Sequence, residues 1–198
     1  MFVSFEGLDG SGKTTQQRLL AARLAAEGRD LVTTREPGGT ELGEAVRELV
    51  LHGGNVAPWA EAALYAASRA QHVEEVIRPA LERGAIVLCD RYVDSSVAYQ
   101  GVARGLGLER VLELNLAAVG GLLPDVTFLL LLDPALAASR MTSMRDRLER
   151  EDDAFHRLAD AAYRELAERF PERIVAVDGA LPEAELAAVI ADRFETVA

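Results

Sequence analysis

Lysine is almost missing from this chain, and so is cysteine. Of 21 basic residues one is a lysine, Lys13, and the other 20 are arginines; the single cysteine is Cys89. One cysteine cannot form an intrachain disulfide, and it fits a reducing, cytoplasmic setting. Histidine is also scarce. His52, His72 and His156 lie far apart, in no metal-ligand spacing, which argues against a zinc enzyme. No apolar run is long: residues 126–132 are the longest, far short of the roughly 20 residues a membrane-spanning helix needs. The N-terminus has no basic stretch and reaches an acid at Glu6, which is not the pattern of a secretory signal. Positive charge is in short supply, with 21 Lys and Arg against 32 Asp and Glu and a net charge of −11. That balance speaks against broad electrostatic binding to nucleic acid or to an anionic membrane. An anionic ligand would have to be met by a local cluster of cations.

What remains is an ordinary globular composition over 198 residues, 49% hydrophobic and 27% charged. One domain of this size buries a sufficient core without disulfides or metal. Short apolar runs alternate with helical periodicities. Strands are expected over residues 1–5, 31–34, 85–89, 126–132 and 174–177. Helices are expected over 14–27, 40–51, 58 to about 84 with a kink at Pro79, 108–119, 152–170 and 182–194. The runs at 85–89 and 126–132 are unbroken and each closes on an acid, Asp90 or Asp133, as in a parallel sheet covered on both faces. The reading is a three-layer α/β/α sandwich around a five-stranded parallel sheet. Residues 141–153 are rich in charge and poor in apolar residues, and read as a short mobile lid.

Residues 7–14, Gly7-Leu8-Asp9-Gly10-Ser11-Gly12-Lys13-Thr14, match G-x-x-x-x-G-K-[ST], the P-loop. A strand precedes it and a helix follows. Glycines let backbone N–H groups converge on a phosphate, and the helix start adds its dipole. Lys13 can reach the β- and γ-phosphates, and the Thr14 hydroxyl can ligate Mg²⁺, so the chain's one lysine lies at the expected position. Asp90 is favoured as the second Mg²⁺ acid, with Asp133 a competitor that reads more simply as a helix start before Pro134. The N-K-x-D pattern of GTPases is absent. Across a doubly wound sheet, Arg35 after the second strand and Arg91 after the third would face the P-loop, a pairing suited to a monophosphate.

Several blocks together resemble the bacterial thymidylate kinase family. They are Phe5-Glu6-Gly7 entering the P-loop, residues 34–40 (TREPGGT), residues 64–72 (LYAASRAQH), and Asp90-Arg91-Tyr92 with residues 95–101 (SSVAYQG). The resemblance runs through the whole chain in family order. It implies a P-loop NTPase fold and the reaction of ATP with dTMP to give ADP and dTDP, with Mg²⁺. It implies a donor site at Gly7, Leu8, Asp9, Gly10, Ser11, Gly12, Lys13, Thr14 and Thr15, with Arg140 over the adenine. Arg35, Arg47 and Arg91 would hold the acceptor phosphate, with Glu36 beside them or the sugar. Tyr65, where the family more often has Phe, would stack on thymine. Arg69, Ser96 and Gln100 would contact the base, and Tyr99 would disfavour a ribose 2′-hydroxyl. Asp9 would orient an arginine or a metal. With no arginine in the P-loop, a lid arginine is implied: Arg145, Arg147 or Arg150, with Arg147 preferred. Lys13, Asp9, Arg91 and Arg147 form the implied catalytic set, Thr14, Asp90 and Asp9 the metal set, and a homodimer through residues 58–78 the assembly. Against this stand another small P-loop kinase with a different acceptor and a slow regulatory ATPase; the latter would hydrolyse ATP without any monophosphate.

Overall fold

The structure is a computed structural model and describes residues 1–141 and 146–197. Five parallel strands form one sheet: β1 (Phe2–Glu6), β2 (Leu31–Arg35), β3 (Ile86–Asp90), β4 (Val126–Leu131) and β5 (Ile174–Asp178), in the order β2-β3-β1-β4-β5. The inner strands β1, β3 and β4 are almost wholly buried, which is why their sequences show no polar alternation, while the edge strand β2 is half exposed. Alternate residues feed two cores. Val3, Phe5, Leu88, Phe128 and Leu130 pack toward α1 (Lys13–Ala26) and, late in the chain, the final helix Glu183–Val197. Phe2, Val87, Cys89 and Leu129 pack on the other face, with residues of α2 (Glu41–Arg47), α3 (Pro58–His72) and the helices between Leu108 and Arg169. The expected three layers and five strands are present, each strand within a residue of its expected bounds.

Two stretches differ from the periodicity reading. The long helix stays helical past Pro79: α3 runs into a π-helical turn, Val73–Ile77, and then α4 (Arg78–Glu82). The widened turn precedes the proline, whose ring and missing N–H disfavour a regular α-turn. A further helical segment, α5 (Val93–Ser96) continuing as a π-helix over Val97–Ala103, was not among the expected elements. Residues 93–101 are all buried, so no polar face reveals a helical period. It is followed by α6 (Leu108–Ala118), α7 (Pro134–Ser139), α8 (Asp153–Arg169) and α9 (Glu183–Val197). None of the helices described is long and apolar enough to cross a membrane.

Parallel register sets the site. Arg35 pairs with Asp90, and Asp90 with Phe5, so β2, β3 and β1 end side by side. The P-loop, Arg35 and Arg91 therefore open into one crevice at the strand C-termini.

Candidate active site

β1 ends in the P-loop, and the chain turns there only because glycine permits it. Gly10 has φ +81°, and a Cβ on it would stand 2.2 Å from the Ala137 carbonyl oxygen; at Gly7, with φ +135°, a Cβ would stand 2.5 Å from that of Leu130. Gly12 leads directly into α1. The loop lines a cavity of about 840 Å³ with Asp9, Gly10, Ser11, Gly12, Lys13, Thr14 and Thr15. Gly7 and Leu8 contribute backbone instead: the Leu8 carbonyl accepts from Lys13 Nζ at 2.9 Å, and that of Gly7 from Arg91 Nη1 at 3.2 Å. Burial, and then the nearby Arg91, push the Lys13 ammonium below its ordinary range. Thr14 Oγ1 donates to Asp90 Oδ2 at 2.5 Å. Asp133 faces another task, capping α7 by accepting from Ala135 N and Leu136 N. The hard oxygens of Thr14 and Asp90, with Asp9 close by on the loop, are a donor set that fits Mg²⁺. Arg140 also lines the cavity, and its Nη1 donates to the Gly179 carbonyl at 3.0 Å.

Arg91 is the hinge between this cavity and a second. It is a non-glycine residue in the left-handed region, φ 70°, a conformation that costs on the order of 1–2 kcal/mol. Its surroundings hold it there. Arg91 N donates to the Phe5 carbonyl and Tyr92 N donates to Glu6 Oε1 at 2.6 Å. Arg91 Nη2 meets Asp9 Oδ1 at 2.5 Å, and Nη1 donates to Ser95 Oγ and Tyr163 Oη. Burial works to raise the Asp9 carboxyl, but the Arg91 guanidinium and the Lys13 ammonium overcome it and hold it at about 2. Glu6 lies beneath, fully buried, and its other oxygen accepts from Ser95 Oγ and Tyr163 Oη. Burial and the nearby Asp94 carboxylate raise Glu6 to about 7, against the pull of Arg91.

The adjoining cavity, about 140 Å³, shares Asp9, Glu36, Arg47, Arg91 and Glu149 with the first. Its other walls include Tyr65, Arg69, Ser96, Tyr99 and Gln100. Arg35 opens only on the first cavity and pairs with Glu44, while Arg47 donates to the Pro37 carbonyl. Arg69 is 1% exposed. Its Nε pairs with Glu36 Oε2 at 2.6 Å, Nη1 donates to Ser96 and Asn115, and Nη2 donates to the Tyr92 carbonyl. Among the described residues these contacts use four of its five N–H groups. Glu36 also accepts from His72 Nδ1 at 2.9 Å, and His72 Nε2 lies 2.6 Å from Thr34 Oγ1. Cys89 joins Glu36 and His72 in a buried cluster whose donor atoms lie within 4.8 Å. The contacts just given occupy both carboxylate oxygens and both ring nitrogens, and Cys89 Sγ donates to the Arg91 carbonyl. Tyr99 stacks beside Arg91, 5.3 Å from ring centroid to guanidinium carbon.

Two expected site residues stand elsewhere: Arg35, expected at the acceptor phosphate, opens on the donor cavity alone, and Arg147 is the second. Arg147 lines neither cavity. Its Nη2 pairs with Glu61 Oε2 at 2.5 Å and its Nε donates to the Val50 carbonyl, because Glu61 is a fully buried carboxylate that needs cations. Arg145 lies outside the described residues. The periodicity reading passed over Glu6, Glu61, Asn115 and Tyr163. Only the two acids left a trace: charged residues inside otherwise apolar stretches.

The Thymidylate kinase family model matches residues 5–190. The chain is 53% identical to the thymidylate kinase of Clavibacter michiganensis subsp. michiganensis, over all of this chain and 95% of that one. It is 54% identical to the thymidylate kinase of Leifsonia xyli subsp. xyli, over 98% of this chain and 94% of that one. The crystal structure of thymidylate kinase from Ehrlichia chaffeensis superposes with a TM-score of 0.81 at 31% identity, covering 98% of each chain. With two cavities that share Arg47 and Arg91, and this likeness from end to end, the chain belongs to the thymidylate kinase family.

Proposed function

We propose that this chain transfers the γ-phosphoryl group of ATP to dTMP, giving ADP and dTDP, with the donor in the P-loop cavity and the acceptor in the smaller one. The observation that carries it is the shared wall: Arg91 and Arg47 face both cavities, so an acceptor phosphate held there is aimed at the P-loop. Phosphoryl transfer passes through a loose transition state with charge on the equatorial oxygens, which asks for positioning and positive charge. Lys13 leaves the Leu8 carbonyl for the donor phosphates. P-loop N–H groups receive the remaining charge. Arg91, pre-set by Asp9, Ser95 and Tyr163, orients the acceptor phosphate. That phosphate is already ionised near neutrality, so no strong base is needed. Arg69 offers its fifth N–H to a carbonyl of the base, Tyr65 its ring, and Tyr99 crowds the sugar. Thr14 and Asp90, with Asp9, would hold Mg²⁺, which neutralises charge on the donor phosphates when bound. Arg147 serves here as an anchor of residues 146–151 to α3. We further assign the chain to a reducing cytoplasm, on its single cysteine, and to a homodimer through the alanine-rich stretch 58–78, which sedimentation equilibrium would test.

A coupled ADP-release assay tests the reading. Strong release with dTMP, weaker with dUMP and almost none with UMP or thymidine is expected. Release without any acceptor would leave the P-loop standing and return the regulatory ATPase. Equal release with all acceptors would overturn the acceptor pocket.

A further inference from the structure

Glu61 is the most enclosed acid of the acceptor side, with an exposure of 0%, and it touches neither cavity. Four side-chain contacts converge on it. Its Oε2 meets Arg147 Nη2 at 2.5 Å and Arg104 Nη2 at 3.4 Å; its Oε1 meets Arg104 Nε at 3.4 Å and Gln100 Nε2 at 2.8 Å. As a carboxylate it offers only acceptors. A glutamine amide has a donor end and an acceptor end of nearly equal size, and its direction is dictated by its partner. The end of Gln100 toward Glu61 must therefore be the NH₂. The carbonyl Oε1 is what remains for the cavity that Gln100 lines.

We propose that Glu61 is a specificity-determining positioning residue: by fixing the direction of the Gln100 amide, it makes the pocket a reader of a base with an N3–H donor and a rejector of one with an N3 lone pair. Thymine presents N3–H, and cytosine presents N3 as an acceptor, so an inward oxygen attracts the first and repels the second. The inference rests on reading the smaller cavity as the acceptor site. It also gives Arg104 and Arg147 a task. They hold the carboxylate in register, and Arg147 and Glu151, the latter paired with Arg104 at 2.7 Å, tie residues 146–151 to the group that sets the base reading.

Glu61→Gln tests the direction. The two arginines would claim the new amide's oxygen, its NH₂ would face Gln100, and Gln100 would turn its own oxygen outward and present NH₂ to the base. Wild type, Glu61→Gln and Glu61→Asp are assayed with dTMP and with dCMP, and the ratio of the two kcat/KM values is read within each variant, where loss of folded protein cancels. The ratio is expected to fall by about tenfold or more in Glu61→Gln and to be retained in Glu61→Asp, which keeps an acceptor-only partner at lower activity. If Glu61→Gln yields no folded protein, Glu61→Ala, which frees Gln100 to turn, is read in the same way and is expected to lose the ratio. An unchanged ratio in whichever of these two variants folds overturns the proposal. Gln100→Ala separates the two readings. If it alters KM for neither nucleotide, the acceptor-site assignment falls; if it does alter them and the Glu61 ratio is unchanged, only the role of Glu61 falls.

Discussion

On the P-loop side of the cleft, one continuous run, residues 9–15, supplies backbone N–H groups and the chain's one lysine to the cavity wall, with Arg35, Asp90, Arg91 and Arg140 beside it. The smaller cavity is walled by side chains drawn from the loops that follow β2 and β3, from α2, α3 and the helical stretch 93–103, and many of them are already bonded to another: Arg69 to Glu36, Glu36 to His72, Gln100 to Glu61, Arg91 to Asp9 and Ser95. The phosphate is a simple ligand, met by converging N–H groups that any sequence with the right glycines supplies. A base and a sugar demand shape and hydrogen-bond direction, which isolated flexible side chains cannot provide. They are therefore held by a buried layer that never meets the ligand. The price is a set of enclosed charges, each stable only while its partners remain.

The largest effect is expected at the chain's one lysine, which lies within the P-loop itself. Lys13→Ala should lower kcat by about 10³-fold while circular dichroism stays native; near-normal turnover would dissolve the distinction between the two sides. Arg91→Lys keeps the charge but loses the planar fork that bridges Asp9, Ser95 and Tyr163. It should cut kcat/KM for dTMP by about 100-fold with KM for ATP little changed, and an equal loss for both substrates would show that the arginine serves the donor instead.

Next come the supports. Asp94→Asn would leave Arg173, which lies against it at 2.7 Å through both nitrogens and is 7% exposed, without its counter-charge. A loss of about 3 kcal/mol in denaturant unfolding is expected, with kinetics of the folded fraction unaffected. Glu6 gives a pH test of similar size. Its carboxyl is raised from 4.5 to about 7 in the fold, so the folded chain holds its proton more tightly than the unfolded one. Stability from this group is whole below pH 4.5, falls as pH rises, and is exhausted above about pH 7, a change of about 3 kcal/mol. Unfolding across that window should show the decline, and Glu6→Gln should remove it; a rise with pH from this group would reverse the sign. Smallest of all, Arg23→Ala removes two surface ion pairs, to Glu27 and Glu195, whose members are all exposed, Arg23 at 46%, Glu27 at 39% and Glu195 at 48%. It should shift stability by less than about 0.5 kcal/mol and leave kinetics alone, so a larger loss would mean that surface pairs matter as much as the enclosed ones.

The P-loop and the five strands were legible in the sequence because their signals are local. A glycine spacing, an apolar run of five or six residues and a terminal acid each depend on neighbours in the chain. Val93–Ala103 was not legible as an element. Its residues 93–101 are all buried, and a helix buried all round carries no amphipathic stripe. Arg147 shows a different failure. The resemblance of residues 146–149 to the family's lid implied a phosphate contact for it, whereas in the structure it pairs with the buried Glu61 carboxylate, 86 positions away. Glu61 and Glu6 carried no assigned role in the sequence, and the fold encloses both completely.

By itself, then, the sequence determined the alternation of strand and helix, the phosphate loop with its one lysine, and the blocks that mark the family. Those follow from local backbone preference and the period of apolar residues. Only the tertiary structure decided which arginine lines a cavity and which pairs with an enclosed carboxylate, which way the Gln100 amide points, and why Glu6 keeps a proton toward neutral pH. Each of those depends on burial and on partners tens of positions apart, and electrostatics in an enclosed site is set by distance through space, which a linear sequence does not contain.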